Sequence, residues 1–394
     1  MNFKHKLMQN NITKNDIDVV IKFLKTKPIL TQSKKVEKFE KNWSKWLGVK
    51  YSIFVNSGSS ANLLTLLAIK IKYGTGEIIV PSLTWVSDIA SVIQNNFYPV
   101  FVDVDPKNLS MKENDILKKI KKNTKAVFIT HAQGFNGFSN KLLKYLKKKK
   151  IILIEDVCES HGATFNNKKL GTFGLMSNFS FYYAHHLSTI EGGMICTNNK
   201  EIYELLRMLR SHGLLRENSN IYFKKRIIKK YPLLHPNFIF MHPAYNMRNN
   251  EISAVIGINQ LKTLDKNNKI RDKNLKIFLD NLNNKYFRTE YNLVGNSNYA
   301  FPLVLKEKNF YNRKLLEKTM LTNHIEFRRG NVGGGNQLRQ PYLSDFVKKN
   351  KINLNDFKEA DHIHFFGYYI GNYPTLKKTK IIKLCKILNN IKFI

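Results

Sequence analysis

The sequence predicts an α/β fold in which a large, mostly parallel sheet carries helices on both faces and a smaller C-terminal α/β lobe follows. Short β-rich runs alternate with helical patterns through the first two-thirds of the chain, as in parallel sheets with helical crossovers. The 394 residues and 43% hydrophobic content suffice for one large core and a second, smaller one. Helices and short strands alternate again from about residue 261. We therefore predict a large domain at 1–262 and a small domain at 263–394.

Five apolar segments are the predicted strands, at residues 77–80, 99–104, 126–130, 151–157 and 194–197. A helix is predicted from Ser59 to Lys72, because leucine and isoleucine recur there at helical spacing directly after a small-residue turn. Between about Glu217 and Pro243 this regularity gives way to Lys, Tyr, Phe and Pro. That composition indicates an irregular excursion across a surface or a subunit interface.

Charge and cysteine content restrict the classes of partner. The formal net charge is +36, but the lysines are spread along the chain, which favours a solvated surface over a nucleic-acid partner. The cysteines, Cys158, Cys196 and Cys385, form no CxxC pattern, so we expect neither a disulfide framework, nor an iron–sulfur cluster, nor another metal site. The chain has no run of eighteen apolar residues, and residues 1–11 are polar and basic. We therefore expect a cytoplasmic protein without a membrane partner.

Two segments combine small or acidic residues with predicted strand and helix ends. Residues 56–62, Asn-Ser-Gly-Ser-Ser-Ala-Asn, form a small-residue turn that feeds the helix from Ser59, and free N–H groups at such a turn favour an anion. An ordinary serine N-cap is the alternative. Asp156 ends an apolar strand, at the edge where open α/β sheets bind ligands. Its carboxylate suits a protonated pyridine nitrogen, although a helix-capping role explains it too.

Two further segments complete the pattern. Trp85 follows another predicted strand, where its ring either stacks on a planar cofactor or packs in the core. Residues 180–193, Ser-Phe-Tyr-Tyr-Ala-His-His-Leu-Ser-Thr-Ile-Glu-Gly-Gly, are too unusual for packing alone. In this order and spacing, the four segments resemble the pyridoxal-phosphate-dependent nucleotide-sugar aminotransferases (DegT type). The resemblance extends from about residue 31 to about residue 374, and it implies the fold type I architecture of aspartate aminotransferase with a seven-stranded type of sheet.

The resemblance implies a role for each matching position. Gly58, Ser59 and Ser180 would hold the phosphate of pyridoxal 5′-phosphate, Trp85 would stack on its ring and Asp156 would pair with its nitrogen. Glu159 would join these cofactor-binding residues. Asn246 would reach the phosphate of the neighbouring subunit, and Arg248 in the same family-like segment is a candidate substrate contact. A homodimer with shared active sites is therefore the expected unit.

The sequence departs from ordinary family members at the position of the cofactor-binding lysine, which is occupied by His185. No lysine occurs between Lys169 and Lys200. Imidazole cannot anchor an aldehyde covalently, but it can shuttle protons. A branch of the family with the same His-His pair comprises 3-dehydratases of nucleotide-linked 4-keto-6-deoxy sugars, which supply 3,6-dideoxysugar biosynthesis for lipopolysaccharide O-antigens. One type needs a cysteine-bound cluster that this chain cannot form, so the metal-free type is favoured.

The resemblance to that branch implies a mechanism. Glutamate would convert the bound cofactor to pyridoxamine 5′-phosphate, which would react with the C4 ketone of the sugar. His185 would take a proton and return it to the departing C3 hydroxyl, and His212 either assists or is structural. The products would be ammonia and a 3-deoxy-4-keto sugar. Two other functions stay open, namely an aminotransferase that makes a 4-amino sugar and a cofactor-fold protein that binds without catalysis.

A basic, glycine-rich segment at residues 328–342 fits neither type of dehydratase fully. Its arginines, Arg328, Arg329 and Arg339, are candidate contacts of the substrate diphosphate, because guanidinium groups bind phosphate in bidentate fashion. A flexible surface loop is the alternative. The nucleotide and the stereochemistry of the sugar are not determined by the sequence.

Overall fold

The computed structural model describes residues 3–394 and contains one large sheet. Its seven strands lie in the order β1-β9-β8-β5-β4-β2-β3. They are β1 (Tyr51–Val55), β2 (Glu77–Pro81), β3 (Tyr98–Val102), β4 (Thr124–Thr130), β5 (Ile152–Asp156), β8 (Met176–Ser180) and β9 (Gly193–Thr197). β9 runs antiparallel to both neighbours, and the other pairs are parallel. The carboxyl ends of β1, β2, β4, β5 and β8 therefore meet at one edge of the sheet.

Helices cover both faces of this sheet and build much of the C-terminal lobe. They are α1 (Lys14–Leu24), α2 (Lys34–Leu47), α3 (Gly58–Tyr73), α4 (Val86–Gln94), α5 (Glu113–Lys119), α6 (Asn140–Lys149), α7 (Lys200–Arg210), α8 (Ile221–Lys230), α9 (Glu251–Gln260), α10 (Leu264–Asn281), α11 (Phe310–Thr322), α12 (Asn331–Gly334), α13 (Ser344–Lys349), α14 (Lys358–Phe366) and α15 (Lys378–Asn389). α12 is a single distorted turn, because Val332 and Gly333 have positive φ. None of the helices within residues 3–394 has the length and apolar character needed to cross a bilayer.

A second, antiparallel sheet forms the centre of the C-terminal lobe. Its strands are β10 (Ala300–Val304), β11 (Phe327–Arg329) and β12 (Gly367–Gly371), in the order β10-β12-β11. A small hairpin, β6 (Thr164–Phe165) with β7 (Lys168–Lys169), lies apart from both sheets. The large and small sheets use residues 51–197 and 300–371. The domain boundary between residues 262 and 263 stays a prediction.

The predicted fold class is confirmed, and all five predicted strands are present with shifts of one or two residues at their ends. The segment from Glu217 to Pro243 differs from the prediction, because it contains the ten-residue helix α8. Asn220 caps this helix by accepting a hydrogen bond from the Phe223 N–H group. Ile227 packs with Leu215 and Ile239 in a small buried cluster beneath it. The rest of the segment is irregular.

Candidate active site

The small-residue turn after β1 forms the N-terminus of α3. The Ser57 hydroxyl caps the helix by accepting a hydrogen bond from the Ser60 N–H at 3.0 Å. The N–H groups of Gly58 and Ser59 belong to the first helical turn, where the helix supplies no acceptor. Gly58 lies tightly against Ser180 at the end of β8, since a Cβ at position 58 would come within 2.6 Å of the Ser180 Cβ. The structure therefore brings Gly58 and Ser180 together beside the first turn of α3, an arrangement that suits an anion.

Asp156 ends β5 at the same edge. Its Oδ1 accepts a hydrogen bond from the Cys158 N–H at 2.8 Å, and its Oδ2 lies 3.3 Å from Nδ2 of Asn62 on α3. A second buried acid, Asp88, accepts a hydrogen bond of 2.6 Å from the same Asn62 nitrogen. Asp156 is nearly fully buried and forms no salt bridge within residues 3–394. The edge therefore presents a carboxylate that lacks a cationic partner.

Trp85 stands at the N-terminus of α4, and about half of its surface is exposed. The glycine-rich segment of the C-terminal lobe packs against its ring, because a Cβ at Gly333 would lie 1.9 Å from the ring atom Cε3. The Gln337 N–H also donates a hydrogen bond of 2.7 Å to the Ser82 carbonyl. The C-terminal lobe thus holds Trp85 in place while part of the ring stays accessible for stacking.

His185 lies on the loop between β8 and β9. Its ring is only partly exposed, and its Nδ1 atom has no hydrogen-bond partner within the described residues. Burial, followed by the nearby Arg271 guanidinium, lowers the pKa of His185 to about 3. The ring is therefore neutral at pH 7, and one of its two nitrogens carries no proton. The ring of His185 lies 5.5 Å from that of Tyr299 and 6.0 Å from that of His161.

Glu159 lies near Asp156 at the carboxyl edge of the sheet. One of its oxygens accepts a hydrogen bond of 2.9 Å from the Gln133 N–H, just beyond β4. Burial, the largest effect, and the charge of Asp156 raise the pKa of Glu159 to about 7. The Gln133 side chain is fully buried, and neither its nitrogen nor its oxygen has a partner within the described residues. Glu159 can therefore exist in either protonation state near neutral pH.

The segment that contains Asn246 and Arg248 runs beside the end of β1, because Arg248 forms a β-bridge with Val55 and the Asn56 N–H donates a hydrogen bond of 3.1 Å to the Met247 carbonyl. Ser211 and Asn246 form an isolated β-bridge, and the His212 N–H donates a hydrogen bond of 2.8 Å to the Tyr245 carbonyl. The Arg248 Nε donates to Asn246 Oδ1 at 3.1 Å. His212 and Asn246 are exposed, and no hydrogen bond or ring contact within residues 3–394 joins His212 to His185.

The three arginines of the glycine-rich segment have different surroundings. Arg339 forms a bidentate pair with Asp361, with Nε–Oδ1 and Nη2–Oδ2 distances of 3.0 and 2.5 Å. Arg328 and Arg329, on β11, are exposed and lie 3.6 and 3.5 Å from the carboxylates of Glu326 and Glu317. The charge of Arg339 is thus already neutralised. Arg328 and Arg329 have looser contacts.

A cavity of about 190 Å³ lies beside the His185 loop. The N-terminal segment 7–13 forms one wall, and Arg271 and Tyr299 contribute to the other. Asn11 ties the N-terminal segment to the loop, because its Nδ2 donates a hydrogen bond of 3.1 Å to the His185 carbonyl. The Arg271 Nε is buried without a partner within the described residues.

These features fit pyridoxal phosphate. The N–H groups of Gly58 and Ser59 in the first turn of α3 suit a phosphate, and the Asp156 carboxylate, which forms no salt bridge within the described residues, suits a protonated ring nitrogen. The partly exposed face of Trp85 suits a planar ring. All of these groups lie at one edge of the large sheet.

Comparison with known proteins identifies the family. Residues 10–389 match the sequence model of the DegT/DnrJ/EryC1/StrS aminotransferase family. The chain belongs to this family. A curated member, GDP-4-keto-6-deoxy-D-mannose 3-dehydratase of Escherichia coli O55:H7, is 34% identical over 355 residues, which cover 88% of this chain and 89% of the relative.

Solved structures of this family superimpose on the whole chain. A structure of the E. coli 3-dehydratase with bound hydrated pyridoxal phosphate has a TM-score of 0.88 at 30% identity, covering 98% of this chain and 100% of the other. A structure of GDP-4-keto-6-deoxymannose-3-dehydratase with a trapped PLP-glutamate geminal diamine has a TM-score of 0.87 with the same identity and coverage. The family and the fold expected from the sequence are confirmed.

Several residues of the site escaped the sequence analysis. Asp88 had a visible signal, because helical spacing places this acid on the side of α4 that carries the buried Ile89 and Val92. Gln133 is a polar residue directly after a predicted strand, which is a weaker signal. Arg271 and Tyr299 come from a distant part of the chain, and no local pattern connects them to His185.

Proposed function

We propose that this protein is a pyridoxal-phosphate-dependent 3-dehydratase that removes the C3 hydroxyl of a GDP-linked 4-keto-6-deoxyhexose, with glutamate as the amino donor. One observation carries the proposal. His185, a neutral base with a free Nδ1, lies on the loop after β8, where the resemblance places the lysine of ordinary aminotransferases. The names of the similar proteins support the same substrate class.

The cofactor, as pyridoxamine phosphate, would supply the amino group that reacts with the C4 ketone and a ring that accepts electrons. Gly58, Ser59 and Ser180 would bind its phosphate through free N–H and hydroxyl groups. Asp156 would keep the ring nitrogen protonated, and Trp85 would fix the plane of the ring. We assign Glu159, whose pKa is about 7, to the same group of cofactor-binding residues.

His185 would accept the proton that is removed during the elimination and donate it to the departing C3 hydroxyl group. Its pKa, lowered to about 3, keeps the imidazole neutral before reaction, so that one ring nitrogen carries no proton and can accept one. The same lowered pKa makes the resulting imidazolium a strong acid, which is suited to protonating a departing hydroxyl group. A histidine cannot hold the cofactor covalently as lysine does. Its presence therefore favours elimination over transamination.

The proposal extends to a homodimer with shared active sites. Apolar side chains in the segment around α8 are strongly exposed, since Tyr222 is 82% exposed and Leu233 is 98% exposed. Such apolar exposure favours a subunit interface. Asn246, His212 and Arg248 lie on an exposed surface, from which they would reach the partner's cofactor and substrate. We also propose a cytoplasmic location.

The substrate diphosphate would bind to arginines. Arg328 and Arg329 are the stronger candidates, because their ion contacts are loose and their side chains are exposed. Arg339 stays a prediction, although its bidentate pairing with Asp361 weighs against it. Replacing Arg328 or Arg329 by alanine should raise the KM for the nucleotide sugar and leave the affinity for pyridoxal phosphate unchanged. Unchanged KM in both variants would contradict this assignment.

The experiment that tests the proposal follows products from purified protein with pyridoxal phosphate, excess glutamate and GDP-4-keto-6-deoxymannose. Ammonia, 2-oxoglutarate and a 3-deoxy-4-keto product are expected. A stable 4-amino sugar would establish the second candidate, an aminotransferase. Cofactor binding without turnover of any nucleotide sugar would establish the non-catalytic alternative.

A further inference from the structure

Asp88 is a buried acid for which the proposed function has no use. It lies in the first turn of α4, is 1% exposed and forms no salt bridge within residues 3–394. An isolated buried carboxylate is strongly unfavourable unless it is protonated or well hydrogen-bonded. The groups that face it come from α3, β4, β5 and the chain between the elements: Asn62, Thr84, Thr130, Asp156, and the titratable Cys158 and Tyr342.

Both oxygens of Asp88 have defined partners. Oδ2 accepts hydrogen bonds from the Thr84 and Thr130 hydroxyls, the latter at 2.7 Å. Oδ1 accepts a hydrogen bond of 2.6 Å from Nδ2 of Asn62, and that nitrogen lies 3.3 Å from Oδ2 of Asp156. The two carboxyl groups therefore adjoin each other across one shared amide nitrogen.

The orientation of the Asn62 amide is fixed from its other end. Its Oδ1 accepts a hydrogen bond of 2.8 Å from Nδ2 of Asn178 on β8. The Asn178 Oδ1 in turn accepts a hydrogen bond of 2.8 Å from the Thr65 hydroxyl. The donor end of Asn62 is thereby directed at the two acids.

Burial and a neighbouring charge favour the protonated form of Asp88. Burial, followed by the charge of Asp156, raises the pKa of Asp88 well above its usual range. The hydrogen bonds from Thr84 and Thr130 act in the opposite direction on the pKa of Asp88, and burial with the charge of Asp156 outweighs them. When two adjoining carboxyl groups share a site, one of them retains a proton. Here that group is Asp88.

We propose that Asp88 is a positioning residue: held by Thr84 and Thr130, it donates a hydrogen bond to the Asp156 carboxylate and fixes that group at the sheet edge. This inference rests on the proposed function, in which Asp156 pairs with the ring nitrogen of the cofactor. A neutral donor behind Asp156 restrains its rotation and disperses its charge without adding a second negative charge beside the ring.

Infrared spectroscopy of the cofactor-free protein tests the protonation state directly. At pH 8.5, where Glu159 with its pKa of about 7 is ionised, the unsubstituted protein should show the carbonyl band of a protonated carboxylic acid, and Asp88→Asn should lose this band. Asp103→Asn is the matched control, because Asp103 is also buried but pairs with Lys112 at 2.7 Å. The control should keep the band. The absence of the band from the unsubstituted protein, or its persistence in Asp88→Asn, would overturn the proposal.

Cofactor binding tests the positioning role without using turnover. Asp88→Ala should weaken the affinity for pyridoxal phosphate by roughly tenfold to a hundredfold, as expected when a hydrogen bond to a charged group is lost. It should also shift the pH profile of bound-cofactor absorbance. Asp88→Asn, which retains an amide donor, should recover part of both effects, and Asp103→Asn should show neither. An unchanged affinity and pH profile in Asp88→Ala would refute the role.

The two proposals fail in distinguishable ways. If the unsubstituted protein does not bind pyridoxal phosphate, both the proposed function and the positioning role are refuted. If it binds the cofactor normally but lacks the acid band, only the inference about Asp88 is refuted. Absence of dehydratase turnover would leave the infrared and binding results for Asp88 standing.

Discussion

The contact between Gly333 and Trp85 yields a specific prediction, because two consequences of one added methyl group can be separated. In Gly333→Ala the new Cβ would lie 1.9 Å from Cε3 of Trp85. Carbon atoms pack at about 3.5 to 4 Å, so the ring must move by roughly 1.5 to 2 Å. The φ of +67° adds a backbone cost of roughly 1–2 kcal/mol for any residue with a side chain.

Gly48→Ala is the matched control. Gly48 also has a positive φ, +91°, but a Cβ there would meet no atom within 4 Å. Gly48→Ala should therefore lose roughly 1–2 kcal/mol of unfolding free energy in urea titrations, and Gly333→Ala at least as much. Only Gly333→Ala should also bind pyridoxal phosphate more weakly and lose turnover by roughly a hundredfold, as misplacement by about 1 Å can cause.

One result would refute the role of the C-terminal lobe in positioning Trp85. If Gly333→Ala binds the cofactor and turns over substrate as Gly48→Ala does, the C-terminal lobe does not position Trp85 for the cofactor. Tryptophan fluorescence of the cofactor-free variant provides an independent measure of ring displacement.

Three further predictions concern His185, Glu159 and the dimer interface. His185→Phe should fold and bind pyridoxal phosphate but lose turnover by roughly 10²- to 10⁴-fold, and ordinary turnover would exclude His185 as the proton carrier. The pKa of Glu159 is raised from 4.5 to about 7, so its contribution to stability is fully present below pH 4.5 and is lost as pH rises through 7. Urea unfolding of the cofactor-free protein between pH 5 and 9 should show a loss of up to about 3 kcal/mol that Glu159→Gln lacks, and identical pH dependence in both proteins would contradict this. Leu233→Glu should shift the protein from dimer to monomer in light scattering and reduce turnover with it, whereas an active, unchanged dimer would remove the α8 segment from the interface.

Much of the site could be predicted because its residues lie directly after strands. Gly58, Trp85, Asp156 and Ser180 each follow or end a strand, and parallel strands bring their carboxyl ends to one edge. Local pattern located the turn at residues 56–62, Trp85 and Asp156, whereas the roles of Ser180, Glu159 and Asn246 came from the resemblance to the family. The substitution of His185 for lysine could be recognised only through that resemblance.

The remaining features depend on contacts between distant segments. Arg271 lies on α10 and reaches the His185 loop only through the packing of the C-terminal lobe. The contact of Gly333 with Trp85 joins residues almost 250 positions apart, so the glycine run could not be distinguished from a flexible loop. β1 and β8 were missed as strands because the turn residues that follow them dominated the local signal.

The most direct test of the central claim is a comparison of products from the unsubstituted protein and His185→Lys. Each would be incubated with pyridoxal phosphate, excess glutamate and GDP-4-keto-6-deoxymannose, and the sugar would be analysed by mass spectrometry. The account predicts ammonia and a 3-deoxy-4-keto sugar from the unsubstituted protein, and loss of that product in the lysine variant. A stable 4-amino sugar from the unsubstituted protein would contradict it.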